Sequence, residues 1–384
     1  MDYETGIASV VRTNGELACW AIEAPQGVGL VRRTVFEPHS SRLDVTVGNH
    51  TITMDIGTVH DAPVVPVVYL DQNYWIYLAK WKKEPSSVPP DRARFFACLT
   101  EAIESGYTIT PLSRAHMSET SKRGGVSRID VATELLRYTR GWQLRDVVAL
   151  RRAELRSIFG TSTVPHRELA ITLDPDAVLD IQPWSPDHLA WSPEMTGLIQ
   201  RITWASVLVN VLVDSEPNRE TGASKAELWA QSFVPLANQL RTNERAKNYA
   251  RDLTRIRFLW DLGTDLPAAA REAGLTAEAF SDWLKNDAEI ALSTPPGIAR
   301  LREVLHLRLR NGDTKWEGND LYDWLCLSYA TGYCDLVLGE KKMINLLRNV
   351  VDRVPPGATL HHSAGTALKA LNELLDSGDP ARPS

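Results

Sequence analysis

Between residues 7 and 58 apolar and polar positions alternate in short runs, GIASVVRT, LACWAIEA, GVGLVRRTVF, RLDVTVG and HTITMDIG, separated by Gly, Asn and Pro. A period of two with turn residues between the runs predicts a small antiparallel β unit of about five strands. DAPVVP at 61–66 reads as a linker, because Pro63 and Pro66 favour extended backbone and break pairing. The texture then changes to strand, helix, strand, helix. VVYL at 67–70 predicts a short strand that stops at Asp71, and NYWIYLAKW a helix after it. PPDRARFFACLTEAIESG, 89–106, opens on prolines and Asp91 and sets Phe95, Phe96, Leu99 and Ile103 on one helical face. YTITPL at 107–112 predicts a second strand, Ser113 caps the next helix, and 127–160 continue as helices. From 161 a Pro-rich stretch leads into an almost wholly helical region that runs to about 296. Residues 297–350 read as a helix, a turn, a helix from about Leu321 and a strand DLVLG at 335–339, and the end SGDPARPS as a frayed tail.

Composition changes this picture little. The 384 residues are 43% apolar and 23% charged, ordinary for a soluble globular protein. A net charge of −6 excludes a globally basic nucleic-acid footprint, so a polyanion would have to meet a local patch. Cys19, Cys98, Cys326 and Cys334 have neither zinc-ligand nor disulfide-framework spacing, which points to free thiols in a reducing compartment. The N-terminal MDYETGIASV does not read as a signal peptide. The most apolar window, 196–215, contains Arg201 and has helical spacing, and reads as a buried core helix rather than a membrane span. The expectation is a cytoplasmic protein with no membrane association.

Acids fall where strands end or helices begin. Asp71 ends the first strand, Glu119 lies on the helix after the second, Asp320 and Asp323 open the helix in GNDLYDWLCLSYATGYCD, and Glu340 closes DLVLG. Strand ends are where ligands bind in open α/β sheets, and converging carboxylates repel unless a cation sits among them. Hard oxygen ligands of this kind suit Mg2+ or Mn2+, and the chemistry implied is hydrolysis.

VVYLDQNYWIYLA, ITPLSRAHMSET and NDLYDWLCLSYATGYCDLVLGEKKM together resemble the ordered acid pattern of PIN-like nucleases, in which four acids from distant segments bind divalent metal. The stretch from Asp323 to Ala330 is similar to that family's D-x-x-(I/L)-x-x-x-A pattern, followed by a strand and an acid at Glu340. The resemblance covers roughly 67–130 and 297–350. It departs from the pattern in having Glu at 340, a rival carboxylate at Asp335 and a long helical insertion between the second and third acids. It implies an α/β fold, a PIN-like parallel sheet flanked by helices, carried by 63–160 and 297–376. A helical insertion at 161–296, a small β-rich module at 1–62 and a disordered tail at 377–384 complete the domains. It also implies metal-assisted phosphodiester hydrolysis, RNA favoured over DNA. Asp71 and Asp323 would be the main metal ligands, with Glu119 and Glu340 holding metal directly or through water, and Asp320 and Asp335 as alternates. Asn73 would orient Asp71 or the phosphate, and Ser113 and His116 share a helical face with Glu119, His116 with a contact to phosphate. The large insertion and the extra module suggest, by analogy, a regulated toxin or anti-phage effector. The β module is a candidate surface for a protein partner, a nucleic acid or self-association.

Each residue also has a plainer reading. Asp71 is a ready N-cap, Glu119 a solvated acid, Asp320 and Asp323 acids favoured by the helix dipole, Asp335 a turn cap, and His116 a capping partner of Ser113. For substrate, Arg300, Arg302, Arg308 and Arg310 on one helix and Arg151, Arg152 and Arg156 on another suit phosphate, yet helical arginines commonly form a solvated face. Trp75, Trp81 and Trp316 are either stacking platforms or core. LPAAAREAGLTAEAFSDWL, 266–284, has the form of a helix-turn-helix, but Glu278 and Asp282 sit where a reading helix needs basic residues, which favours a simple helical hairpin. Three readings stay open: a nuclease, a non-catalytic PIN-like nucleic-acid-binding or scaffold protein, and a helix-turn-helix regulator.

Overall fold

The structure, a computed structural model, describes residues 1–11, 17–21, 29–56, 64–165, 167–179, 192–214, 225–311 and 314–378. Parts of the expected linker at 61–66, of the Pro-rich stretch after 161 and of the tail fall outside these residues.

The N-terminal alternation folds as five antiparallel strands. β1 (Ile7–Val11) and β2 (Leu17–Ala21) pair with each other, and β3 (Val31–Glu37), β4 (Arg42–Val47) and β5 (His50–Asp55) form a meander. Leu43, Val45, Ile52 and Met54 alternate onto one buried face, as a period of two requires.

The chain then enters a small parallel sheet. β6 (Val68–Leu70) pairs in parallel with β9 (Leu336–Leu338), which pairs in parallel with β10 (Thr359–His361). On the other side of β6, single parallel bridges Val67–Ile109 and Leu112–Gln143 lead out to the antiparallel pair β7 (Gln143–Leu144) and β8 (Ile171–Thr172). The strand expected at 107–112 is reduced to those two bridges, because Pro111 has no N–H to give a ladder. Helices α1 (Gln72–Lys83), α2 (Pro90–Glu104), α3 (Arg114–Ser121), α4 (Gly125–Thr139) and α5 (Val147–Ile158) follow the first strands. The short α6 (Arg167–Ala170) and the long α7 (Pro193–Val213) come next, and helices fill most of 225–333.

The sheet separates two hydrophobic cores. Val68, Leu70, Leu336 and Leu338 point to one side, and Val67, Tyr69 and Val337 to the other. Burial on both faces is why VVYL and LVL read as unbroken apolar runs rather than alternating ones. The first core takes in α1, α2, α4 and α7 and also Leu43, Val45 and Met54 of the N-terminal strands. The expected boundary at residue 62 is therefore not a boundary between cores. The second core joins the helices of 225–310 to the sheet through Phe233, Phe258, Leu301 and Trp324, so the expected insertion shares its packing with the α/β part. α7 is long and apolar enough to cross a bilayer by length and composition, but 61% of its most apolar window is buried inside the protein.

Candidate metal centre

The end of β6, the last turn of α3 and the N-terminal part of the helix Gly318–Tyr333 meet at the C-terminal edge of β6 and β9. Asp71 follows Leu70 directly, and its N–H still bonds Leu338 O (2.9 Å), so the ladder ends on this residue. Its φ of −67° and ψ of 155° are those of an N-cap, and Oδ1 accepts the Gln72 N–H (2.9 Å) at the start of α1. The plain capping reading is thus satisfied by one carboxylate oxygen.

Glu119 sits on α3, and Asp323 on the helix Gly318–Tyr333 that precedes β9. One ligand oxygen from each of Asp71, Glu119 and Asp323 lies within 4.8 Å of the others. Asp71 is buried and the other two are half-buried. Crowding of this kind shows in protonation. Burial, then the Asp323 and Glu340 charges, push the Asp71 carboxyl up to about 7. The Glu119 carboxyl is also raised, first by burial and then by Asp71, while its hydrogen bond with Asp323 and the nearby Lys122 and Arg123 charges pull it back down. An all-oxygen, acid-only donor set of this kind suits a hard divalent cation.

The remaining expected residues separate into those near the trio and those used elsewhere. Glu340 begins the next helix, Lys341–Arg348, and offers its backbone N–H to Asp71, while its side chain is exposed and outside the trio. Asn73 is exposed in the first turn of α1. The side chain of Asp320 lies outside the described residues. Asp335, the rival fourth ligand, stands before β9 rather than after it. It accepts the Val67 N–H (2.7 Å) and pairs with Arg167, tying down the opposite end of the strands.

Ser113 and His116 do not face solvent. Ser113 is buried against the Tyr69 hydroxyl (2.8 Å), and His116 is fully buried, stacked on Tyr69 at 5.1 Å between ring centroids. The expected phosphate contact of His116 is replaced by two hydrogen bonds, one from Ser113 N–H to Nδ1 (3.0 Å) and one between Nε2 and Leu70 O (2.7 Å). Arg300 and Arg302 are likewise structural. Both are buried: Arg300 donates to Pro296 O (2.7 Å), and Arg302 to Glu289 O (3.1 Å) and Glu303 Oε1 (3.3 Å). A helix buried all round leaves its guanidinium groups only carbonyls and acids to bond. Arg151 and Arg152 pair with Asp265, and Arg156 with Glu272. Trp75 and Trp316 belong to the two cores, the latter stacked on Phe233 at 5.0 Å.

Residues that the sequence reading passed over complete the surroundings. Gln72 is buried and its Nε2 donates to Thr120 Oγ1 (3.0 Å), joining α1 to α3 next to the trio. Their offsets, one residue after each candidate ligand, were the available signal. Asp146 is a further strand-end acid, after β7, but it is consumed as the N-cap of α5, accepting Val148 N–H (2.9 Å) and Ala149 N–H (3.2 Å), and in an ion pair with Arg114 (2.8 Å).

Fold and site together define an α/β protein with an acidic trio at the C-terminal edge of a small parallel sheet. The chain matches no family model, no curated protein and no solved structure.

Proposed function

We propose that this chain is a divalent-metal-dependent nuclease of PIN-like type, acting on phosphodiesters and on RNA in preference to DNA. The observation that carries this reading is the meeting, within 4.8 Å, of carboxylates from three segments far apart in the sequence. The PIN-like resemblance orders these same acids along the chain, and RNA is favoured over DNA because the resemblance leans that way. Asp71, Glu119 and Asp323 would hold Mg2+ or Mn2+. When bound, such an ion supplies a more acidic water and charge neutralisation at the scissile phosphate. Asp71 is oriented by the Gln72 and Glu340 N–H groups, and the Lys122 and Arg123 charges, close enough to lower the Glu119 pKa, would favour a phosphate beside the trio.

Two observations weigh against the other readings. A scaffold with no chemistry has no need of three repelling acids held together at a partly buried site. In the hairpin of Asp265–Glu272 and Ala277–Asn286, the second helix exposes Glu278 and Asp282, the wrong sign for reading DNA. The test is cleavage of labelled single-stranded RNA and DNA with Mg2+ or Mn2+, by the wild type and by Asp71→Asn. Metal-dependent cutting lost in the variant is expected. Cutting that survives the substitution removes the assignment, and no cutting of either polymer with either metal favours the scaffold.

A further inference from the structure

The segment running from the end of β6 into α1 is pinned to α3 and its N-cap at three successive buried points. The Tyr69 hydroxyl meets Ser113 Oγ at 2.8 Å, His116 Nε2 meets Leu70 O at 2.7 Å, and Gln72 Nε2 meets Thr120 Oγ1 at 3.0 Å. The pins bracket Asp71 on one partner and adjoin Glu119 on the other. The middle one differs from its neighbours, because it grips a main-chain carbonyl directly before Asp71 rather than a side chain. Its geometry also sets the ring's protonation: Nδ1 accepts the Ser113 N–H at 3.0 Å, so Nε2 carries the proton that Leu70 O accepts. Complete burial lowers the His116 pKa to about 4, so the neutral ring persists at physiological pH.

We propose that His116 is a positioning residue that fixes the separation of the Asp71 and Glu119 carboxylates by bridging the end of β6 to the first turn of α3. The proposal rests on the metal-binding reading of the trio. A ring that caps its own helix with one nitrogen and holds the strand end with the other couples the two ligand-bearing elements, so loosening it spreads the ligands without removing one. Groups that orient ligands in this way cost about 10–100-fold in metal affinity when lost.

The test is Mn2+ affinity of the full chain, read from free Mn2+ by electron paramagnetic resonance, together with thermal melting in chelator. His116→Asn keeps an acceptor for the Ser113 N–H but is too short to reach Leu70 O, whereas His116→Gln carries both an acceptor and a donor that reaches. The Asn variant is expected to bind Mn2+ about tenfold or more weakly, and the Gln variant within about threefold of wild type, both melting within a few degrees of each other. Wild-type affinity in the Asn variant, or equal loss in both, overturns the positioning role. If the Asn variant does not fold, a folded Gln variant decides alone: near-wild-type affinity upholds the role and a tenfold loss overturns it. A wild type that binds no Mn2+ removes the metal reading itself, and the positioning role with it.

Discussion

Asp71 serves the local structure and the site in opposite ways. As an N-cap it stabilises α1, and an asparagine would do so equally well. As a buried carboxylate beside Asp323 and Glu340 it is costly when ionised, which is why its pKa rises from 3.8 to about 7. A carboxyl with a raised pKa contributes stability that is fully present below about pH 4 and lost as pH climbs through about 7. The loss is at most about 4 kcal/mol, from roughly three pKa units at 1.36 kcal/mol each. In chelator, the Asp71→Asn variant is therefore expected to melt higher than wild type at pH 8 and to lose much of the decline between pH 5 and pH 8. Added Mn2+ should raise the wild-type melting temperature and leave the variant's unchanged, and calorimetric scans at the two pH values check both. Asp335 gives the contrasting case. Its partners are Arg167 and the Val67 N–H at the far end of the strands, so Asp335→Ala should lower the melting temperature while leaving Mn2+ affinity as it was.

At the scale of elements, the core helix Pro296–Arg310 is held at its start by a single acid. Buried Glu154 of α5 accepts the Gly297 and Ile298 N–H groups, both at 2.8 Å, and the Tyr333 hydroxyl at 2.7 Å. Gly297 is required by packing, because a methyl group there would overlap the Tyr329 ring. Gly297→Ala is expected to destabilise the fold by about 1–3 kcal/mol despite its better helix propensity, measurable by urea unfolding. This helix also shows what the sequence leaves illegible. Its arginines at 300 and 302 look like a phosphate-binding row, but charge pattern alone does not reveal that the opposite faces are also covered. The strands β6 and β9 and the caps at Asp71 and Ser113 are readable because apolar runs and cap residues carry their meaning locally, whereas grouping Glu119 and Asp323 with Asp71 needs the ordered pattern of the resemblance. His116 caps with Ser113, as the plainer reading has it, but its contact with Leu70 O and the destination of Asp335 are not legible, since each is decided by a partner on another element: Leu70 O for one, Arg167 and Val67 N for the other.

Across the whole molecule, the alternation of residues 7–58 reported that one face of the N-terminal strands is buried, and not what buries it. Leu43, Val45 and Met54 share a core with Val131 and Leu135 of α4 and Leu208 and Leu212 of α7, so the module is a cover for α4 and α7 rather than an appendage. Removing residues 1–62 would uncover that apolar surface. The truncated chain is expected to be insoluble or to melt without a cooperative transition, which expression followed by scanning calorimetry would check.

The trio also has a timing. Asp71 and Glu119 leave the ribosome early, whereas Asp323 is about 250 residues behind Asp71, beyond nearly all of the helical segment. A nascent polypeptide that has emerged only as far as residue 300 holds two of the three acids and lacks β9, against which β6 is laid. The cluster, and any cation it would hold, therefore cannot form until the residues on both sides of the helical segment have been made.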